Sequence, residues 1–194
     1  MSRDPRVWVP GGFYHVYSRG NRRQLLFRDD SDYEKFLDLV RKCKKKYQFI
    51  VHTYCLMPNH FHMIVSYHGV PLGKPIGWFS SIYARFYNDK YGYDGHLFQG
   101  RYHAKIITNT RYLLIASKYI HLNPVKAGIV ISPEKYRYSS FKSFAYEKND
   151  DITTKDRIME YFDNDVNWYK GFVKSAYATG EEETMDKELE MEEE

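Results

Sequence analysis

Residues 48–68, QFIVHTYCLMPNHFHMIVSYH, constrain the fold more than any other stretch of the chain. Two runs rich in β-branched, aromatic and aliphatic residues are divided only by Pro58-Asn59. That pattern predicts two antiparallel strands, 48–57 and 60–68, joined by a tight hairpin. A lone hairpin is marginally stable in water, so other elements must complete the sheet. FYHVYS (13–18) alternates as a strand and exits into the polar, basic loop RGNRRQ (19–24). DDSDYEKFLDLVRKCKKKY (29–47) reads as a helix: Asp29, Asp30, Ser31 and Asp32 offer N-cap chemistry, and Phe36, Leu37, Val40 and Cys43 form an apolar stripe. Its lysines crowd the C-terminal end, where they suit the helix dipole.

A second helix is predicted within 75–91, opened by Pro75 and ended near Gly92, with Trp78, Phe79, Ile82, Tyr83, Phe86 and Tyr87 at helical spacing. RYHAKIITN (101–109) supplies a fourth strand. TRYLLIASKYIHLN (110–123) is helical and is expected to stop at Pro124, because a residue before proline resists the α region. The order β-α-β-β-α-β, followed by another helix, predicts an α+β, ferredoxin-like split βαβ antiparallel sheet with packed helices. SPEKYRYSSFKSFAY (132–146) and a helical stretch near 153–178 follow, with EKNDD (147–151) as linker. The expected organisation is a domain at 1–146, a helical C-terminal extension at 147–180, and a disordered acidic tail at 181–194. No internal repeat is present.

Charge bears on partners. The net charge is +4, but residues 181–194 hold nine acids and one base. Residues 1–180 therefore carry 28 Lys+Arg against 16 Asp+Glu, or +12, which suggests a polyanionic partner, nucleic acid first. Nineteen Tyr, twelve Phe and three Trp fit either a base-stacking surface or a tyrosine-heavy core. The two cysteines, Cys43 and Cys55, make no disulfide framework, and no membrane span or signal-peptide pattern is seen, so a cytoplasmic location is expected.

Successive strand residues face opposite ways, so His60 and His62 share one face while Phe61, Met63 and Val65 share the other. At about 3.3 Å per residue the two imidazoles sit roughly 7 Å apart along the strand. They fit a shared metal ion or a hydrogen-bonded surface pair. In SKYIHLNPVKAG (117–128), Tyr119 and Asn123 lie one helical turn apart on a common face. Asn123 is a candidate oxygen ligand or a helix cap, and Tyr119 a reactive phenol or an ordinary half-buried tyrosine. His121 points to another side of the helix. His15, His52, His68, His96 and His103 have no partner at ligand spacing and read as structural. Arg19, Arg22, Arg23 and Arg101 are candidate phosphate contacts, the last entering the fourth strand; Arg22 and Arg23 equally suit a solvated loop.

MPNHFHMIV, GHLFQGRYHAKII (95–107) and YIHLNPVKAGIV (119–130) together resemble the single-tyrosine HUH transposases, and in particular their REP-associated branch. SRGNRRQLLFRDDSDYEKFL (18–37) and SPEKYRYSS (132–140) extend the resemblance over residues 13–145. It implies that His60 and His62 are the His-hydrophobic-His pair, Tyr119 the nucleophile, and Asn123 the third metal ligand. That last position is often Gln or another polar residue in relatives. The resemblance further implies a divalent cation, Mg or Mn, and a hairpin or palindromic single-stranded DNA substrate. The reaction implied is strand cleavage and transfer through a 5′-phosphotyrosine. A monomer or homodimer is implied, since some relatives exchange the tyrosine helix. Two other classes stay open: a non-catalytic DNA-hairpin binding protein of the same fold, and a metal-dependent phosphoester hydrolase in which the tyrosine is idle.

Overall fold

The protein is described from a computed structural model. It covers residues 8–69, 71–146, 150–175, 183, 184 and 187. Most of the acidic tail and part of the expected linker lie outside the described residues.

Four strands, β1 (Phe13–Arg19), β2 (Ile50–Met57), β3 (His60–Ser66) and β4 (His103–Ile107), form one sheet in the order β2-β3-β1-β4. Every neighbouring pair is antiparallel. The β2-β3 turn is the two residues Pro58-Asn59, with Met57 opposite His60. Its carbonyls are fully used: Pro58 accepts from the amides of Leu26 and Phe27, and Asn59 from Gly20. The hairpin tip is thereby sewn to the loop leaving β1. This is the split βαβ sheet expected from the order of elements.

The Phe61-Met63-Val65 face is covered by α1 (Asp30–Tyr47) and α2 (Gly73–Tyr91). Phe36 of α1 and Phe79 of α2 pack on Phe61, with ring centroids 5.0 and 6.2 Å away. Both contacts are tilted rather than face to face, as aromatic quadrupoles prefer. The start of α1 is fixed by a capping box between Asp29 and Asp32. Asp32 is fully buried and also accepts from Lys90 Nζ and Tyr91 Oη, which ties the end of α2 to the start of α1. Among the described residues twelve tyrosines are buried. Several spend their hydroxyl on a backbone carbonyl, as Tyr83 does on Leu26 and Tyr87 on Leu25. The tyrosine richness is therefore largely a property of the core.

The opposite face of the sheet carries α3 (Thr110–Lys126). This helix does not stop at Pro124. Proline removes one backbone donor and costs the helix one bond, but Asn123 and Pro124 are buried and their packing holds the α conformation. The helix winds off two residues later, where Ala127 donates to the Asn123 carbonyl and Gly128, at φ 68°, takes the left-handed position.

The chain then runs back along the outer edge of β2. Leu56 donates to the Tyr138 carbonyl and Ser140 to that of Tyr54, so the edge is covered rather than left as an open template. Beyond it come α4 (Phe141–Ala145), α5 (Asp156–Met159) and α6 (Val166–Lys174). The single helical stretch expected near 153–178 is thus broken in two. Asp163 and Asn164 both take positive φ, 50° and 59°, and Asp165 caps α6. The described part of the extension seats Tyr169 against α3 and buries it completely. No helix among the described residues is long and apolar enough to cross a membrane.

Candidate active site

Four side chains singled out in the sequence come together on the α3 side of the sheet. His60 and His62 project from β3 with ring centroids 5.0 Å apart and planes at 82°. The first turns of α3 are locked by Asn109, whose side chain accepts from the Tyr112 amide. Its last turns then bring Tyr119 and Asn123 over the histidines. The Tyr119 ring lies edge-on to His62 at 5.7 Å, and Asn123 Oδ1 is 3.3 Å from His60 Nε2. Tyr119 is 1% exposed and Asn123 6%, so the cluster is roofed by the helix that contributes to it.

The hydrogen bonds define what these atoms offer. Asn59 donates from Nδ2 to the Arg23 carbonyl, which directs its Oδ1 toward His60 Nδ1 at 2.7 Å. With Nδ1 donating to that oxygen, the other ring nitrogen, Nε2, offers an electron pair when the ring carries a single proton. That pair faces another acceptor, Asn123 Oδ1. Two lone pairs at this separation repel unless a proton or a cation lies between them. Octahedral Mg holds its ligands at about 2.1 Å, so adjacent ligand atoms sit about 3 Å apart. The His60–Asn123 spacing therefore fits a shared divalent cation. Among the described residues no three His, Cys, Asp or Glu side chains cluster at metal-holding distances, so a cation here would need the amide oxygen as well as the imidazoles.

His62 is fully buried, and desolvation pushes its pKa down to about 3. Its Nδ1 lies 3.0 Å from Nε2 of His15, a residue that sequence spacing had set aside. The antiparallel register pairs Tyr17 with His62 and His15 with Ile64, which puts His15 diagonally beside His62 on the same face. No spacing within one segment could show that. Tyr17 completes an aromatic row across the sheet, stacking on His103 at 4.7 Å and on His62 at 5.8 Å. His52 and His121 are structural. His52 joins Ser66 Oγ and the Thr154 carbonyl, and His121 joins Tyr169 Oη and Ser140 Oγ, facing away from Tyr119.

The candidate phosphate contacts gather at the β1 exit, beside the hairpin tip. Arg19 pairs with His60 in the sheet register, and its Nε donates to Gln99 Oε1. Arg22 and Arg23 are exposed in a single 3-10 turn and both take positive φ, 52° and 59°, unusual for side chains of this size. Arg101 lies two residues before β4 and not within it, since Gly100 turns the chain there at φ 79°. It lines a groove of ≈ 720 Å³ with Ser18, Gly77, Ser80, Ala84 and Gln99. Lys126 Nζ, unremarked in the sequence, sits 5.1 Å from the centroid of the Tyr119 ring.

Residues 9–123 match the family model of the IS200-like transposases. The chain is 28% identical over 145 residues to a REP-associated tyrosine transposase of Escherichia coli strain K12, covering 73% of this chain and 83% of that one. Its fold is similar to that of a REP-associated tyrosine transposase solved bound to a REP hairpin, with a TM-score of 0.65 and 22% identity over 79% of this chain and 92% of the other. The family model spans more than half of the sequence and ends on Asn123, so it takes in both histidines and the helix that covers them: the chain belongs to the IS200-like transposase family.

Proposed function

We propose that this protein cuts and rejoins single-stranded DNA at a hairpin or palindrome, with Tyr119 as nucleophile and a divalent cation, Mg or Mn, held by His60, His62 and Asn123. The observation that carries the proposal is the meeting of these four side chains in one small volume, from two elements far apart in sequence. When bound, the cation supplies Lewis-acid polarisation of the scissile phosphate and neutralises its charge. Tyr119 Oη attacks phosphorus and its proton passes to water. The P–O3′ bond breaks as the Oη–P bond forms, leaving a 5′-phosphotyrosine and a free 3′-hydroxyl protonated from water. Because the ester conserves the bond energy, a second 3′-hydroxyl can reverse the step and join strands without ATP.

Each neighbouring residue has a part in this reading. Lys126 places a positive charge beside the phenol that loses its proton. Arg19, Arg22, Arg23 and Arg101 suit the phosphates of a strand running past the hairpin tip toward His60. The similar REP-associated tyrosine transposase was solved bound to a REP hairpin.

The near-complete burial of Tyr119 favours one rival, a hairpin-binding protein whose site never opens to a phosphate. Incubating the protein with labelled hairpin DNA and Mn²⁺ separates the two. A denaturation-resistant protein–DNA adduct that disappears in Tyr119→Phe supports strand transfer. Tight binding without adduct under any divalent cation supports the binding protein. Metal-dependent cleavage that survives Tyr119→Phe points instead to a hydrolase.

A further inference from the structure

His60 and His62 are held differently. Asn59, the residue beside it, sets the His60 tautomer, whereas His62 depends on another strand. His15 and His62 are both fully buried, their ring planes are 19° apart, and they meet nitrogen to nitrogen at 3.0 Å. A nitrogen–nitrogen contact this short needs a proton between the two rings, one nitrogen donating and the other accepting. Two neutral imidazoles share one proton across such a contact, and there are two ways to share it. If His15 Nε2 carries the proton, His62 Nδ1 accepts and His62 bears its own proton on Nε2. If His62 Nδ1 carries it, His15 Nε2 accepts and the His62 Nε2 electron pair is available to a metal.

We propose that His15 is a positioning residue which accepts from His62 Nδ1–H and so fixes His62 in its cation-binding tautomer and ring orientation. The inference rests on the cation reading given above. In this arrangement His15 must carry its proton on Nδ1, a buried atom with no hydrogen-bond partner among the described residues. A buried unsatisfied donor is costly. In the alternative arrangement the buried donor is instead His62 Nε2–H, so this cost alone does not choose between the two, whereas a cation at His62 Nε2 does. Partners that orient a metal-binding histidine are commonly worth 10–100-fold in metal affinity. Tyr17 stacks on both rings and confines their planes, but it has no nitrogen to offer.

Two measurements test the role. Nitrogen-15 NMR of histidine-labelled wild-type protein, metal-free and saturated with Mg²⁺, reads the tautomer directly. The expected result with Mg²⁺ is His62 protonated on Nδ1; protonation on Nε2 would overturn the proposal. Mn²⁺ binding, followed by electron paramagnetic resonance, should weaken about 10–100-fold in His15→Phe and return to within a few-fold in His15→Gln, whose amide oxygen can accept. Hairpin-DNA affinity in EDTA should stay unchanged in both. If His15→Phe binds Mn²⁺ as the wild type does, His15 has no positioning role. Should His15→Phe fail to fold, the NMR result on wild type still decides. A wild-type protein that binds no Mn²⁺ overturns the cation reading itself, an outcome distinct from a wild type that binds while His15→Phe matches it.

Discussion

One strand, β3, serves two regions with opposite chemistry. Phe61, Met63 and Val65 look into a dry layer of aromatic and aliphatic side chains under α1 and α2. His60, His62 and Ile64, interleaved with them, look toward α3, where nearly every neighbour of the imidazoles has a polar atom. On the first face a residue is replaceable by anything apolar of similar volume. On the second, the contacts of the imidazoles depend on which nitrogen carries the proton, and a wrong tautomer disables the atom. The pleat lets a single β-strand anchor the fold and present the chemistry without compromise between them.

If the two faces divide labour in this way, substitutions should separate cleanly into those that lose chemistry and those that lose stability. The largest expected effect is on chemistry: Tyr119→Phe should lower adduct formation with hairpin DNA roughly 10⁴-fold, since a ring without its hydroxyl has no nucleophile. The melting temperature should move little. Next is the other face. Phe61→Ala opens a cavity among Phe36, Phe79 and Phe98 and should cost about 4 kcal/mol, read by urea denaturation. What remains folded should still form adduct at a near wild-type rate. A Phe61→Ala protein that is stable but inert would break the division.

The dry face and the hairpin were legible in the sequence because both depend on period and local turn chemistry. Phe61, Met63, Phe36 and Phe79 follow from alternation and helical spacing, and Pro58-Asn59 marks its own turn. The His60–His62 pair was equally legible, as was the shared helical face of Tyr119 and Asn123. That these two pairs meet was not legible from spacing; it came from the family resemblance. His15 read only as structural, because its contact with His62 exists only through the β1-β3 register, which no segment encodes alone. Pro124 misled for a different reason. Local preference ends a helix there, but burial of Asn123 and Pro124 carries it on. Similarly, Asp163-Asn164-Asp165 is a turn-and-cap signal that outweighs the helical tendency around it.

A smaller effect is expected where the sheet meets the C-terminal extension. His52 is 2% exposed and bridges Ser66 and Thr154, and desolvation, the largest influence on it, pushes its pKa down to about 4 from 6.5. The unfolded chain therefore binds a proton that the folded chain refuses between those values. This residue's contribution is fully present above pH 6.5, falls as the pH drops toward 4, and is lost below it. The full shift is worth about 3 kcal/mol. Unfolding free energies of wild type and His52→Gln from pH 7 to 4 should converge by about that amount; parallel curves would mean that His52 does not titrate on unfolding.

The smallest expected effect probes whether α3 itself divides as β3 does. One side of the helix presents Tyr119 and Asn123 to the histidines, and the other is gripped by the extension through Tyr169 Oη, which lies 2.6 Å from Ser117 Oγ and 2.7 Å from His121 Nδ1. Burial pushes the pKa of His121 down to about 3, so it is neutral and needs that partner. Tyr169→Phe preserves the ring, packed at 4.7 Å on Phe144, and removes only the hydroxyl. A buried nitrogen then loses its hydrogen bond, at a cost of about 1–3 kcal/mol. The rate of adduct formation should fall by no more than a few-fold, because Tyr119 stays covalently fixed to a helix still held by Asn109 at its start and by Phe141 and Phe144 on its flank. A loss of adduct that exceeds the loss of stability would mean that the extension aims the nucleophile as well as bracing its helix.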